Sequence, residues 1–227
     1  MFSLVHDMTF TLTGIVYFSE SDSGHLCFRL VVFKFTMETH GLFGDAFECL
    51  LPINVIDASA MRQIPDNQEV FVHPSTNQSI CVDILEYVNA DSVEHAARMH
   101  FEEIGSANET TEMSVDSVRI IPPPYADLHC SAVAYLTGRQ VVRKFNQNVD
   151  DAIRIHLALY RYEAHQADVL VLVNDPVADN YETQLNGTTR NGSVLIGGPS
   201  PPESWTSTAI NAILSSLRLK NPEIFNS

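Results

Sequence analysis

Apolar and polar positions alternate most regularly over residues 153–162. Ile153, Ile155, Leu157 and Leu159 take one face of the strand this predicts, and Arg154, His156, Tyr160 and Tyr162 take the other. Residues 169–173 are apolar at every position, which suits a central strand buried on both faces. Residues 44–51 read as a short strand ended by Pro52. Residues 70–73 and 80–88 read as a hairpin whose polar loop is Pro74-Ser-Thr-Asn-Gln. Residues 117–121 form another strand, stopped by three prolines. Residues 130–136 and 141–145 flank Thr137-Gly-Arg-Gln as a further hairpin.

Helical spacing appears twice. Val93, Ala97, Phe101 and Ile104 form one stripe, with Asp91 and Glu94 placed as a capping box and Gly105 as C-cap. Trp205, Ala209, Ile213 and Leu217 form the second, ended by Lys220-Asn-Pro. Asp57 caps a shorter helical turn, and Pro65-Asp-Asn is a turn signal. The order predicts an α+β fold: a single antiparallel sheet of about six or seven strands with helices packed on both faces. Strands do not alternate with crossover helices, which argues against a doubly wound nucleotide-binding fold. Residues 1–36 stand apart, with FTLTGIVYF and LCFRLVVFKF as two strand-like runs around a polar turn. Neither run reaches the ~20 apolar residues a bilayer span needs, so no direct membrane insertion is expected. Residues 175–204 are loop-rich.

Composition narrows the class. A chain of 227 residues, 45% hydrophobic, can bury one substantial core. Its net charge of −15 argues against nucleic acid or an anionic membrane as partner, since both need a positive surface. The same charge suits a basic protein partner met by electrostatic steering. Cys27, Cys49, Cys81 and Cys130 are widely spaced in apolar contexts and read as buried free thiols. Glycosylation sequons at Asn77, Asn108, Asn186 and Asn191 follow no secretory leader and read as chance in a chain rich in Asn, Ser and Thr.

Candidate chemistry is thin. The glycine-rich Gly197-Gly-Pro-Ser-Pro-Pro lacks the lysine and following helix of a phosphate cradle. None of the nine histidines pairs at ligand spacing; His95 and His100 lie five apart, about 140° around a helix. No G-x-S-x-G is present. The expectation is a protein without a chemical active site, cofactor or metal. What stands out is Ile80-Cys-Val-Asp-Ile-Leu-Glu-Tyr-Val. Regular alternation would send Asp83 and Glu86 to opposite faces. A one-residue bulge near Ile84-Leu85 would put both carboxylates on the solvent face, and that bulge or an equivalent strand-end bend is predicted. Asp66, Asn67, Gln68 and Glu69 lie nearby in a turn-forming string.

LFGDAFECLLP, IDASAMRQIPDNQEVFVHP, SICVDILEYV and MHFEEIG together resemble the Ran guanine nucleotide release factors. The similarity is strongest over residues 42–105 and runs more weakly to Asn221-Pro-Glu-Ile-Phe. It implies a PsbP-like fold and a nuclear and cytoplasmic protein, expected to be a monomer. Such a protein binds the GTPase Ran and promotes release of its nucleotide in nucleocytoplasmic transport. It also implies that Asp83 and Glu86 contact the GTPase, with Asp66, Asn67, Gln68 and Glu69 on the same surface. Vertebrate members are associated with surface delivery of a voltage-gated sodium channel, which gives a rival role as a trafficking adaptor. A third possibility, of another class, is an enzyme or ligand carrier with a pocket beside the sheet. Family members begin a few residues before LFG. Residues 1–36 are therefore expected to lie outside a single domain of residues 37–227.

Overall fold

The computed structural model describes residues 10–20, 27–124, 127–143, 150–177 and 204–226. The larger of its two sheets has seven strands, all antiparallel. In spatial order they are β4 (Ile56–Asp57), β5 (Gln68–Val72), β6 (Ser79–Glu86), β10 (Ala167–Pro176), β9 (Asp150–Tyr162), β8 (Ala132–Arg143) and β7 (Thr110–Ile121). A second sheet contains β1 (Phe10–Glu20), β2 (Cys27–Leu42), β3 (Phe47–Pro52) and β11 (Arg218–Leu219). The single sheet expected from the sequence is thus two among the described residues. Periodicity locates strands but carries no information about which ladder each joins. Two helices follow the two stripes, α1 (Val93–Ala107) and α2 (Ser207–Leu214), and no helix of the described residues is long and apolar enough to cross a membrane.

Alternation along the central strands sorts the core into two clusters. Val169, Val171 and Val173 of β10 join Trp205, Ile210, Ile213 and Leu217 in one. Leu170 and Leu172 join Leu157 and Leu159 of β9 and Ala96, Ala97 and Phe101 of α1 in the other. The apolar face read for residues 153–162 is therefore correct at Ile155, Leu157 and Leu159. The opposite face is not a polar one, because Tyr160 and Tyr162 are buried as well. Their hydroxyls stay satisfied by donating to Leu214 O at 2.7 Å and Asp127 Oδ2 at 2.8 Å.

Three local expectations need correction. Thr137-Gly-Arg-Gln is no turn: β8 runs straight through it. Gly138 lies beneath α1, where a Cβ would come within 2.6 Å of both Phe101 Cζ and Ser114 O, so the glycine serves close packing. Gly105 is no C-cap either. The helix continues to Ala107, Asn108 caps it, and Gly105 is buried against Gln140 and Thr110. At the other end Ser92, not Asp91, caps the helix by accepting from His95 N at 3.1 Å. Asp57 does cap its short turn, accepting from Ser59 N at 2.8 Å. Cys49, Cys81 and Cys130 are free and buried, while the side chain of Cys27 and residues 178–203 fall outside the described parts.

Candidate functional site

Strands β5 and β6 carry most of the candidate residues. Their register sets Gln68 opposite Asp83 and Glu69 opposite Val82. On its other edge β6 pairs with β10 without interruption, from Ser79 opposite Asn174 to Glu86 opposite Ala167. The bulge predicted at Ile84-Leu85 is therefore absent, and Asp83 and Glu86 point to opposite faces of the sheet. Two apolar neighbours need no kink in a strand covered on both sides. Ile84 packs on the α2 cluster and Leu85 on the α1 cluster.

The same alternation divides the candidate set. Gln68 and Asp83 share the face of Cys81 and Leu85. Asp83 is buried, at 8% exposure, and accepts from Gln68 Nε2 at 2.6 Å and Cys81 Sγ at 3.3 Å. Burial pushes its carboxyl above the usual range, and those two bonds offset only part of the shift. Burial, with the neighbouring Asp83 charge, also raises Cys81, which therefore stays a thiol.

Glu69 and Glu86 share the other face. Glu86 is exposed at the strand end. Glu69 is half-buried and accepts from Phe43 N. Burial raises its carboxyl, with the Phe43 bond and the His40 charge working against the rise. The turn it holds is a costly one: Phe43, Gly44 and Asp45 all have positive φ, at 52°, 64° and 67°. The LFGD and PDNQE strings thus meet in space through one glutamate.

Asn67 works as a clamp between the strands. Its side-chain amide donates to Ile84 O at 3.0 Å, and its carbonyl accepts from Ile84 N at 2.9 Å. Asp66, immediately before it, is exposed. Register therefore places Asp66 and Glu86 at the same end of the hairpin, one in the turn just before β5 and one at the finish of β6. What the arrangement offers is fixed acidic and amide side chains at a sheet end, with no nucleophile–base pair among them.

The sequence profile of the family described as Ran-interacting Mog1 protein matches residues 40–176. The chain belongs to the Mog1 family. A Ran guanine nucleotide release factor from Danio rerio is 35% identical over 188 residues, covering 81% of this chain and 97% of that protein. The Homo sapiens protein of the same name is 36% identical over 188 residues, covering 81% and 94%. Among solved structures, the Saccharomyces cerevisiae Ran-binding protein Mog1p superposes with a TM-score of 0.54 at 24% identity, over 66% of this chain and 82% of its own. A substitution mutant of Mog1 superposes at 0.59 with 19% identity, over 83% and 98%. At these identities the solved structures speak for the fold alone, and they share the Mog1 fold with this chain. The resemblance read from the sequence strings is borne out.

Within this Mog1-family fold, sequence reading missed a buried charged cluster next to Glu86. Asp168 is fully buried in β10, directly opposite Arg161 of β9. It accepts from Arg161 Nε at 2.9 Å and Val88 N at 3.0 Å, and lies 2.9 Å from His100 Nε2 of α1. Desolvation pushes the Asp168 carboxyl up, but the bonds from His100, Val88 and Arg161 and the guanidinium charge outweigh it and hold it below the usual range. A signal was present. Arg161 continues the apolar stripe 153, 155, 157, 159 onto the core face, and Asp168 interrupts an otherwise apolar run.

Proposed function

We propose that this chain binds the small GTPase Ran and promotes release of its guanine nucleotide, in support of nuclear import, working in nucleus and cytoplasm. The observation that carries the reading is the placement of Asp66 and Glu86, two exposed carboxylates at one end of the β5–β6 hairpin, in a chain of net charge −15. Relatives that match over four-fifths of the chain carry the name Ran guanine nucleotide release factor.

A partner that caps the end of the hairpin, rather than one sheet face, can reach side chains that point to opposite faces. In this reading Asp66 and Glu86 meet basic side chains directly. Asp83 acts from behind, ordering Gln68, while Asn67 and Glu69 fix the hairpin and the neighbouring 43–45 turn. Exchange needs no bond-making group. A protein that binds nucleotide-free Ran more tightly than loaded Ran weakens nucleotide binding by the same factor.

The test is release of a fluorescent guanine nucleotide from purified Ran. Wild type is expected to accelerate release, and the Asp66→Ala/Glu86→Ala double variant to need at least about tenfold more protein. That factor follows from losing charge-assisted bonds worth ~1.5–3 kcal/mol when desolvated. Failure of the wild type to accelerate release would remove the reading.

A further inference from the structure

We propose that Arg161 is a positioning residue for the docking surface: with Asp168 and His100 it fixes the Glu86-Tyr87-Val88 segment so that the Glu86 carboxylate is presented to the partner. The proposal rests on the docking reading above and deepens it.

Backbone pairing runs out at this point. The β6–β10 ladder ends with Glu86 opposite Ala167, and one more bond follows, Tyr87 N to Gln166 O at 3.0 Å. Beyond it side chains take over. Val88 N donates to Asp168 Oδ2, and Arg161 Nη2 donates to Val88 O. The guanidinium also lies 3.8 Å from the centroid of the Tyr87 ring. One arginine thus grips the carbonyl and the aromatic ring of consecutive residues, immediately after the exposed glutamate.

Stability alone gives weak reason to keep such a cluster. Burying an arginine, a carboxylate and a histidine is costly, and well-packed apolar replacements are often as stable. The cluster is also not fully satisfied, since His100 Nδ1 is buried without a hydrogen-bond partner. What charged, directional groups supply here, and apolar ones cannot, is a single orientation for a strand end that would otherwise fray. Glu86 holds its place in the docking surface only if that end is fixed.

A double-mutant cycle separates positioning from general destabilisation. Dissociation constants for Ran are measured by calorimetry for wild type, Arg161→Lys, Glu86→Ala and the double variant. Lysine keeps the charge but loses the paired donors and the flat cation over Tyr87. Arg161→Lys is expected to weaken binding about tenfold with Glu86 present and less than about twofold in its absence. The amide of Val88 is expected to exchange with solvent at least tenfold faster in the variant, with central β10 amides unchanged. Equal weakening in both backgrounds, or none in either, would overturn the positioning role while leaving Glu86 as a contact. Unchanged affinity in Glu86→Ala alone would instead overturn the docking reading and the proposal with it. Should Arg161→Lys fail to fold, His100→Leu takes its place in the same cycle. It removes one partner of Asp168 and is expected to give about threefold weakening that again depends on Glu86.

Discussion

Asp83 is held at a cost to the folded chain. Its two hydrogen-bond donors, Gln68 and Cys81, are neutral, and burial raises its carboxyl above the ordinary value of 3.8. The native state therefore binds the proton more tightly than the unfolded chain does. Such a group contributes its full stability below the unfolded value, and loses that contribution as pH rises through the raised folded value. Asp83→Asn is expected to melt at a higher temperature than wild type at pH 7.5, with the gap closing towards pH 4. A gap of constant size across that range would show that the Asp83 charge is not what limits stability. The same substitution should weaken Ran binding, a trade expected where a functional site stores strain. At this scale the sequence named the six candidate residues by pattern and resemblance, but its expectation that Asp83 and Glu86 share one face was wrong. A bulge and a two-faced strand both explain Ile84-Leu85, and only the pairing of β6 with β10 decides between them.

Elements were legible where one periodicity dominated and obscure where packing overrode it. Residues 70–73 and 80–88 gave the β5–β6 hairpin, and the two helical stripes gave α1 and α2. Gly138 misled because a glycine between two apolar runs looks the same whether it turns the chain or admits a neighbour. Here it admits Phe101, and the strand opposite, β7, shifts register between Val115 and Ser117. The bulge foreseen in β6 thus has a counterpart in β7, at a place where α1 presses on the sheet. Gly138→Ala sets a methyl group against Ser114 O, a backbone atom with little freedom to move. Overpacking of this kind is expected to lower stability by about 1–3 kcal/mol. Urea denaturation should show a lower midpoint at unchanged slope. A variant as stable as wild type would mean that α1 can lift from β8 without loss, and that this glycine serves no packing purpose.

At the scale of the molecule, the question is where the cooperative unit begins. Strand β2 serves two ladders that share one residue. Cys27 to Met37 pair with β1, and Met37 to Leu42 pair with β3. Every β3 partner thus lies at or after Met37, which is itself fully buried in the main cluster. The family match begins at residue 40. We infer that residues 37–227 fold as a unit and that the β1–β2 hairpin is an attachment to it. Among the described residues, a fragment starting at Met37 loses the backbone bond from Ile53 N to Thr36 O at 3.2 Å. A single bond of this kind is worth about 1 kcal/mol. The fragment is expected to unfold in one cooperative transition, with its stability lowered by about that amount and its acceleration of nucleotide release matching the full chain. A fall several times larger would place residues 1–36 inside the core-forming unit. Retained stability with lost release activity would assign the hairpin a part in the docking surface, which the end-on approach to Asp66 and Glu86 does not require.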